Sequence, residues 1–181
     1  MKKRIIALGL LWCLSAVMLQ AARVDTVLVR SAAMNKDVKV VYVLPDKAIG
    51  KQACPVVYLL HGYGGNARSW VQLKPELPQM ADEKGIIFVC PDGKNSWYWD
   101  SPENPAYRYE TFVTSELVKY TDGNYATIPD RKARAISGLS MGGHGALWSA
   151  IRHKDVFGAA GSMSGGVDIR PFPLNWEMNK Q

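Results

Sequence analysis

The stretch Gly138-Leu139-Ser140-Met141-Gly142-Gly143-His144-Gly145 decides which fold this chain is expected to adopt. It places the pattern Gly-x-Ser-x-Gly between residues 133–137, which predict a strand, and residues 141–153, which predict a helix. A serine at such a junction sits on a strained turn that lifts its hydroxyl above the sheet. Gly138 and Gly142 suit this turn because a Cβ at either position would collide with the neighbouring backbone.

Ser140 is therefore the candidate nucleophile. The bare pattern arises by chance in about 5% of chains of this length, given the usual frequencies of glycine and serine. Here the strand precedes it and the helix follows it, as the chemistry requires. The helix also directs the positive end of its dipole toward the serine, which favours negative charge developing there.

A second glycine-rich segment, His61-Gly62-Tyr63-Gly64-Gly65, directly follows an apolar run at residues 56–60. Acyl transfer to a serine passes through a tetrahedral oxyanion, which needs hydrogen-bond donors that are already in place. The backbone N–H of Met141 is predicted to supply one donor and that of Tyr63 the other. A phosphate-binding loop is the competing interpretation, but no Gly-Lys-Ser or Gly-Lys-Thr follows the glycines.

The hydrophobic pattern predicts an α/β fold with one mixed, mainly parallel sheet. Two β-rich segments joined by a seven-residue connection predict a hairpin, and later apolar runs predict buried parallel strands. Helical patterns alternate with those strands, so helices should cover both faces of the sheet. The predicted strands are residues 24–30, 38–44, 56–60, 86–90, 133–137 and 157–163, and the predicted helices are residues 78–84, 109–120 and 141–153.

Aromatic residues concentrate in the long connection at residues 91–109. Loops at the carboxyl ends of parallel strands line the crevice in which ligands bind, and aromatic rings there can stack on sugars or other rings. Four neighbouring residues are therefore predicted to bind substrate: Trp97, Tyr98, Trp99 and Asp100. The alternative is that the rings cover the edge of the core and that Asp100, like Asp92, caps a turn.

Each of the three histidines has an explanation other than catalysis. His61 begins the glycine-rich segment and is expected to orient it. His144 lies one turn beyond Ser140 and should face away from the hydroxyl. His153 stands near the C-terminus of the same helix, where a partly charged imidazole is favourable. The spacing of cysteines and histidines does not match a metal site either.

The N-terminus predicts export from the cytoplasm. A basic start at residues 1–4 precedes an apolar run at residues 5–19 and small residues at 21 and 22, which is typical of a secretory signal peptide. We expect residues 1–22 to be removed and residues 23–181 to form a partial hydrolase domain in the periplasm or outside the cell, with no stable membrane span. A single membrane anchor is the alternative, but the run is shorter than the roughly 20 residues of a spanning helix.

Composition and charge narrow the class of protein. The 181 residues, of which 48% are hydrophobic and 21% charged, fit one globular domain. The formal net charge is +6, but residues 1–22 hold three basic and no acidic residues. The remaining 19 basic and 16 acidic residues form no run of like charge, which argues against a nucleic-acid partner.

Cys54 and Cys90 are expected to remain free thiols. Cys54 begins one predicted strand and Cys90 ends another. In parallel neighbours the two sulfurs would lie at opposite ends of a strand about 17–20 Å long. A disulfide needs Cα atoms roughly 4.4–6.8 Å apart, so this pair should not form one.

At these motifs the chain resembles the esterase D-like branch of the α/β-hydrolases, which includes S-formylglutathione hydrolases, feruloyl and acetyl-xylan esterases, and mycolyltransferases. The resemblance extends over most of residues 38–176, and several of its motifs are specific. The matching segments are residues 58–65, 91–93, 97–102, 138–147, 152–153 and 157–166.

The resemblance implies an α/β-hydrolase fold, a nucleophile at Ser140, an oxyanion hole from Tyr63 and Met141, and no cofactor. It also implies an acid and a histidine that follow the serine, on loops after later strands. The candidates among the 41 residues after the serine do not occupy the family's positions: Asp155, Asp168, His144 and His153. We therefore expect the last strands, the last helix, the acid and the base to lie beyond residue 181. The 157–163 strand would then be an unpaired edge.

The predicted function is that of a carboxylic ester hydrolase that acts through an acyl-enzyme on a small-molecule or glycan ester. The prediction that the ester is carried by a carbohydrate rests on the predicted export and on the aromatic residues of the connection at residues 91–109. Without its acid and histidine, the chain should lose most of its rate enhancement. Two alternative functions are left open. One is a non-catalytic pseudoesterase that binds carbohydrate, and the other is an enzyme that transfers the acyl group to an alcohol.

Overall fold

The computed structural model describes residues 22–168 and Arg170. Within them, one six-stranded sheet has the strand order β1-β2-β4-β3-β5-β6. The strands are β1 (Arg23–Ser31), β2 (Lys36–Leu44), β3 (Val56–Leu60), β4 (Ile87–Pro91), β5 (Arg134–Leu139) and β6 (Ala159–Met163). β2 is antiparallel to both β1 and β4, whereas β3 to β6 run parallel to one another. The predicted mixed, mainly parallel sheet is confirmed.

Helices cover both faces of this sheet, as predicted. They are α1 (Asp46–Ile49), α2 (Ser69–Leu73), α3 (Leu77–Lys84), α4 (Tyr109–Thr111), α5 (Leu117–Asn124) and α6 (Met141–Arg152). α2 and α3 pack on the face that carries Val41 and Phe88. α5 and α6 pack on the opposite face, which carries Tyr42, Tyr58 and Ile136. Each side of the sheet therefore has its own buried core.

The helical segment after residue 109 is longer than predicted. A π-helical turn (Phe112–Glu116) joins α4 to α5, which continues through Gly123 to Asn124. The predicted end at residue 120 is wrong because tertiary contacts hold the last turn. The Thr121 hydroxyl lies 2.9 Å from the Tyr42 hydroxyl, and Asp122 forms an ion pair with Arg134 at 2.6 Å. These contacts outweigh the local preference of Asp122 and Gly123 to end a helix.

The Cys54 and Cys90 thiols, which lie within the described residues, are buried and free. β3 and β4 are parallel neighbours, Cys54 lies before the start of β3 and Cys90 lies near the end of β4. The expected separation of the two sulfurs is confirmed.

The predicted signal peptide lies outside the described residues, apart from Ala22. In the part of the chain that the structure describes, no helix has the length and apolar character required to cross a membrane. Among the described residues, β6 is the last strand of the sheet, pairs with β5, and leaves Met163 42% exposed.

Candidate active site

Ser140 stands at the turn between β5 and α6, at the carboxyl edge of the sheet. Its backbone has φ 54° and ψ −115°, a conformation that non-glycine residues rarely adopt. The Ser140 N–H donates to the Met163 carbonyl at 2.8 Å, which ties the turn to the neighbouring strand β6. The side chain is only partly buried. The strained turn predicted from the sequence is therefore present, and it is held from the β6 side.

The glycines on either side of the serine permit this turn through close backbone contacts. A Cβ at Gly138 would lie closer than 3.0 Å to the Gly142 carbonyl oxygen. A Cβ at Gly142 would lie 2.7 Å from the His61 carbonyl oxygen and closer still to that of Leu60. Gly138 thus allows β5 to contact the start of α6, and Gly142 allows α6 to contact the end of β3.

The glycine-rich segment after β3 lies directly against the serine. A Cβ built at Gly62 would be 3.6 Å from the Cβ of Ser140 and 3.3 Å from the carbonyl oxygen of Leu139. Across residues 22–168, neither the Tyr63 N–H nor the Met141 N–H donates to a protein acceptor. Met141 begins α6, where the first amides have no acceptor within the helix. Both amides thus lack a protein acceptor at the edge of the sheet where Ser140 lies.

His61 holds the glycine-rich segment in place. Its imidazole is 2% exposed, and Nδ1 lies 2.7 Å from the Gly62 carbonyl oxygen. Its Nε2 accepts the Gly93 N–H at 2.9 Å, so the proton of the neutral ring is on Nδ1, which donates to Gly62. The Gly64 N–H also donates to the Asn95 side chain at 2.8 Å. His61 thus orients the segment, as expected from the sequence.

Asp92 belongs to the turn after β4. Its carboxylate accepts the Lys94 backbone N–H at 3.0 Å and the Lys94 ammonium at 2.9 Å. Burial works to raise the pKa of Asp92, but its interactions with His61 and with Lys94 outweigh burial and hold the pKa well below its usual range. His61 Nε2 lies 3.7 Å from Asp92, beyond hydrogen-bond distance. The side chain therefore acts as a turn residue.

Two of the four predicted substrate-binding residues lie in the core. Trp97 is 3% exposed and Tyr98 is fully buried, and their backbones have φ 55° and 61°. The Tyr98 hydroxyl donates to the His61 carbonyl at 3.2 Å. This left-handed turn directs both rings beneath the site, so they do not offer a surface to a ligand. Composition alone does not reveal the left-handed backbone. For Trp97 and Tyr98, the alternative that the rings cover the core is therefore the better description.

The other two predicted residues are partly exposed. Trp99 contacts the rings of His144 and Trp148 edge to face. Asp100 accepts the Thr111 backbone N–H at 3.0 Å and its hydroxyl at 2.5 Å, and so caps the start of the α4 segment. Trp99 is thus the one of the four that combines partial exposure with an aromatic surface.

The histidines of α6 are engaged away from Ser140. His144 Nδ1 donates to the Gly166 carbonyl at 2.7 Å, and its ring lies among three tryptophans: Trp97, Trp99 and Trp148. Burial lowers the pKa of His144, and the hydrogen bond to Gly166 opposes that shift only in part. His153 pairs with Glu110 at 2.8 Å. Neither side chain is placed as a base for the serine, as expected.

Sequence reasoning missed Glu110 as the centre of a polar network. The carboxylate is 7% exposed and accepts three hydrogen bonds: Trp148 Nε1 at 2.7 Å, Arg152 Nε at 2.7 Å and His153 Nε2 at 2.8 Å. Its partners are 38 to 43 residues away in sequence, so a local sequence pattern cannot reveal them. The network attaches α6 to the α4 segment.

The remaining acidic candidates have contacts of their own. Asp168 is bound to Arg170 at 2.8 Å, and Asp155 lies beside His153 and Val156 at a different cavity. Within the described residues, Ser140, Tyr63 and Met141 lie at the same edge of the sheet, and no acidic or basic side chain forms a hydrogen bond with the Ser140 hydroxyl.

An open cleft of about 460 Å³ adjoins the glycine-rich segment. Its walls include Tyr63, Gln72, Leu73 and Leu139, of which Tyr63 is 50% and Leu73 62% exposed. Large apolar side chains left exposed around a concavity are typical of ligand grooves. The cleft therefore has the exposed apolar lining of a ligand groove.

The sequence from residue 31 to residue 181 matches the Esterase family model. The chain belongs to this esterase family. It is 28% identical over 135 residues to an acetyl esterase of Caldicellulosiruptor saccharolyticus, a match that covers 70% of this chain and 50% of that protein. It is 34% identical over 155 residues to the diacylglycerol acyltransferase/mycolyltransferase Ag85A of Mycobacterium gordonae, covering 80% and 43% of the two chains.

A solved structure of a ferulic acid esterase gives the same result at the level of fold. It superposes with a TM-score of 0.73 at 32% identity, covering 88% of this esterase-family chain and 65% of that chain. The predicted family and the α/β-hydrolase fold are confirmed. The chain spans about half the length, or less, of the curated relatives it matches.

Proposed function

We propose that this esterase-family chain carries the nucleophile half of a carboxylic ester hydrolase, with an acyl-enzyme formed at Ser140. One observation carries the proposal. Ser140 is held at positive φ on the β5–α6 turn, and the amides of Tyr63 and Met141 are unbonded within the described residues. This arrangement suits an oxyanion. The names of the relatives, an acetyl esterase and a ferulic acid esterase, support an ester as substrate.

The proposed reaction has two steps. The Ser140 hydroxyl attacks the ester carbonyl carbon and gives its proton to a base. The carbonyl oxygen becomes an oxyanion, which accepts hydrogen bonds from the Tyr63 and Met141 backbone amides. The tetrahedral species collapses, the C–O bond to the alcohol breaks, and the alcohol leaves with that proton. Water then attacks the acyl-serine in the same way and releases the carboxylic acid. The sequence of steps requires no cofactor.

We propose that the acid and the base come from outside residues 22–168. His61, His144 and His153 are each committed to other hydrogen bonds. The chain by itself would then keep transition-state binding by the oxyanion donors and lose proton transfer, which leaves a small fraction of the full rate.

The proposed substrate is a small-molecule or glycan ester. The cleft beside Tyr63 and Leu73 would hold one substituent of the ester, and the partly exposed Trp99 offers an aromatic surface. We further propose that residues 1–22 are a signal peptide and that residues 23–181 act in the periplasm or outside the cell. The basic and apolar pattern at residues 1–19 supports that location.

A transferase is the second candidate function, because an alcohol could replace water in the second step. The Ag85A relative, an acyltransferase by name, supports it. A pseudoesterase that binds carbohydrate is the third, and the commitment of all described histidines to other partners supports that one.

Turnover of p-nitrophenyl acetate by the wild-type chain and by Ser140→Ala tests the proposal. Added imidazole supplies a soluble base, so we expect wild-type turnover to exceed that of Ser140→Ala and the gap to widen with imidazole. Equal rates for the two proteins, with and without imidazole, would overturn the hydrolase proposal and leave the pseudoesterase. A rise in the wild-type rate on addition of glycerol would favour the transferase.

A further inference from the structure

A second cavity, of about 230 Å³, lies at the carboxyl end of β4, away from the cleft beside Tyr63. Three lysines line it together with Asp92 and Tyr109: Lys36, Lys39 and Lys94. We propose that this lysine cavity binds a carboxylate carried by the ligand, such as that of a uronic acid. That the carboxylate belongs to an ester substrate rests on the proposed function, whereas the binding itself does not.

The charges around the cavity leave an excess of cations. Lys94 is neutralised by Asp92, with 2.9 Å between the ammonium and the carboxylate. Asp37 is about half exposed and faces Arg30 at 3.6 Å. Among the described residues, neither Lys36 nor Lys39 forms an ion pair. An anion in the cavity would therefore meet two cations, Lys36 and Lys39, that form no ion pair, although Asp92 acts on Lys36 from farther away.

Lys36 is the more constrained of these two lysines. Its ammonium donates to the Ala106 carbonyl at 2.5 Å and lies over the rings of Tyr107 and Tyr109, 5.3 Å and 4.7 Å from their centroids. Burial lowers the pKa of Lys36, and the charge of Lys94 lowers it further. The ammonium groups of Lys36 and Lys94 thus repel each other, and a bound carboxylate would stabilise both charges.

Tyr109 adds a hydrogen-bond donor to the same space. Its ring is 1% exposed, and across residues 22–168 its hydroxyl has no protein partner. A carboxylate has two oxygens, so one can face the lysines while the other accepts the tyrosine hydroxyl. This combination of cations with a neutral donor and aromatic rings favours an organic acid over a bare inorganic anion.

The lysine cavity and Ser140 lie along the same edge of the sheet. Ser140 follows β5, and the cavity lies where β4 ends and β2 begins. Three strand spacings separate β5 from β2, which corresponds to about 14 Å. The hydrogen bond from Gly64 to Asn95, next to Lys94, joins the two loops along this path. A ligand of two to three sugar units could therefore reach both places.

Binding of sodium glucuronate to the wild-type chain, followed by calorimetry and by NMR shifts at constant ionic strength, tests the proposal without requiring turnover. Glucose is the neutral matched ligand, and inorganic phosphate is the bare anion. Lys36→Met keeps the aliphatic stem over the tyrosines, Lys39→Met removes the exposed charge, and Lys84→Met is the control on an exposed lysine of α3.

We expect glucuronate to bind at least fivefold more tightly than glucose, with shifts at Lys36, Tyr109 and Lys94. Each of the two cavity variants should weaken glucuronate binding at least threefold, and Lys84→Met should leave it unchanged. Equal affinity for glucose and glucuronate, or unchanged binding in both cavity variants, would overturn the proposal. Phosphate binding as tight as glucuronate binding would also overturn it, because the site would then take any anion.

The glucuronate-binding experiment and the test of the hydrolase can fail independently of each other. If Ser140→Ala retains glucuronate binding but p-nitrophenyl acetate turnover shows no dependence on Ser140, the lysine cavity stands and the hydrolase proposal fails. If turnover depends on Ser140 while glucuronate fails to bind, the hydrolase stands and the lysine cavity fails.

Discussion

Gly142, in the first turn of α6, lies against the carbonyl oxygen of Leu60, the last residue of β3, so closely that a Cβ would fall within 3.0 Å of it. This contact joins the two elements that carry the proposed oxyanion donors. Met141 precedes Gly142, and Tyr63 follows Leu60 by three residues. The spacing of the two amides thus depends on a glycine that takes no direct part in chemistry.

Gly142→Ala should lower the free energy of unfolding by about 2 kcal/mol, because the added methyl group meets backbone atoms that cannot move aside. Gly123→Ala is the matched control, since a Cβ there meets nothing within 4 Å inside α5. It should raise stability by roughly 0.5–1 kcal/mol. Urea unfolding measures both changes, and a Gly142→Ala protein as stable as the wild type would refute the contact.

Glu110→Gln should cost about 2 kcal/mol of stability, because the buried carboxylate accepts hydrogen bonds from Arg152, Trp148 and His153. Glu83→Gln is the control, since Glu83 is exposed and accepts from Gln79 on the surface of α3. It should change stability by less than about 0.5 kcal/mol. Equal effects of the two substitutions would show that the Glu110 network is not stabilising.

The same network predicts a dependence on pH. Burial works to raise the pKa of Glu110, but the hydrogen bonds from Arg152, Trp148 and His153 outweigh it and lower the pKa from 4.5. A lowered pKa in the folded state means that the stabilisation is complete above pH 4.5 and is lost as the pH falls through the lowered value. Wild-type protein should therefore lose more stability than Glu110→Gln on acidification below pH 4.5. Parallel pH profiles for the two proteins would contradict this assignment.

His144 should titrate below its ordinary value of 6.5, since burial among the tryptophan rings disfavours the imidazolium. Its contribution to folding is then complete above pH 6.5 and falls as the pH is lowered toward the folded-state pKa. NMR titration of the ring measures the midpoint directly. His144→Asn should flatten the stability profile just below pH 6.5, and a wild-type midpoint at or above 6.5 would refute the effect of burial.

Local sequence patterns were sufficient for the parts of the fold set by near neighbours. Continuous apolar runs identified the buried strands β3 and β4, and Gly138 and Gly142 identified the turn at Ser140. These features follow from the burial of both faces of a parallel strand and from steric exclusion at a turn.

Features that depend on contacts between residues distant in sequence could not be predicted from local patterns. The ion pair of Asp122 with Arg134 carries α5 past its predicted end. Left-handed backbone at Trp97 and Tyr98 turns both rings into the core, although their place in a loop suggested a surface. In each case tertiary contacts or an unusual backbone angle prevailed over local propensity.

In the proposed reaction Ser140 accepts an acyl group while Tyr63 and Met141 bind the oxyanion. The most direct measurement is intact-mass and peptide mass spectrometry after brief exposure to p-nitrophenyl acetate with imidazole, quenched in acid. We expect one acetyl group on the peptide that contains Ser140, and none on that peptide in Ser140→Ala. Acetylation confined to lysines, and equal in the two proteins, would contradict it.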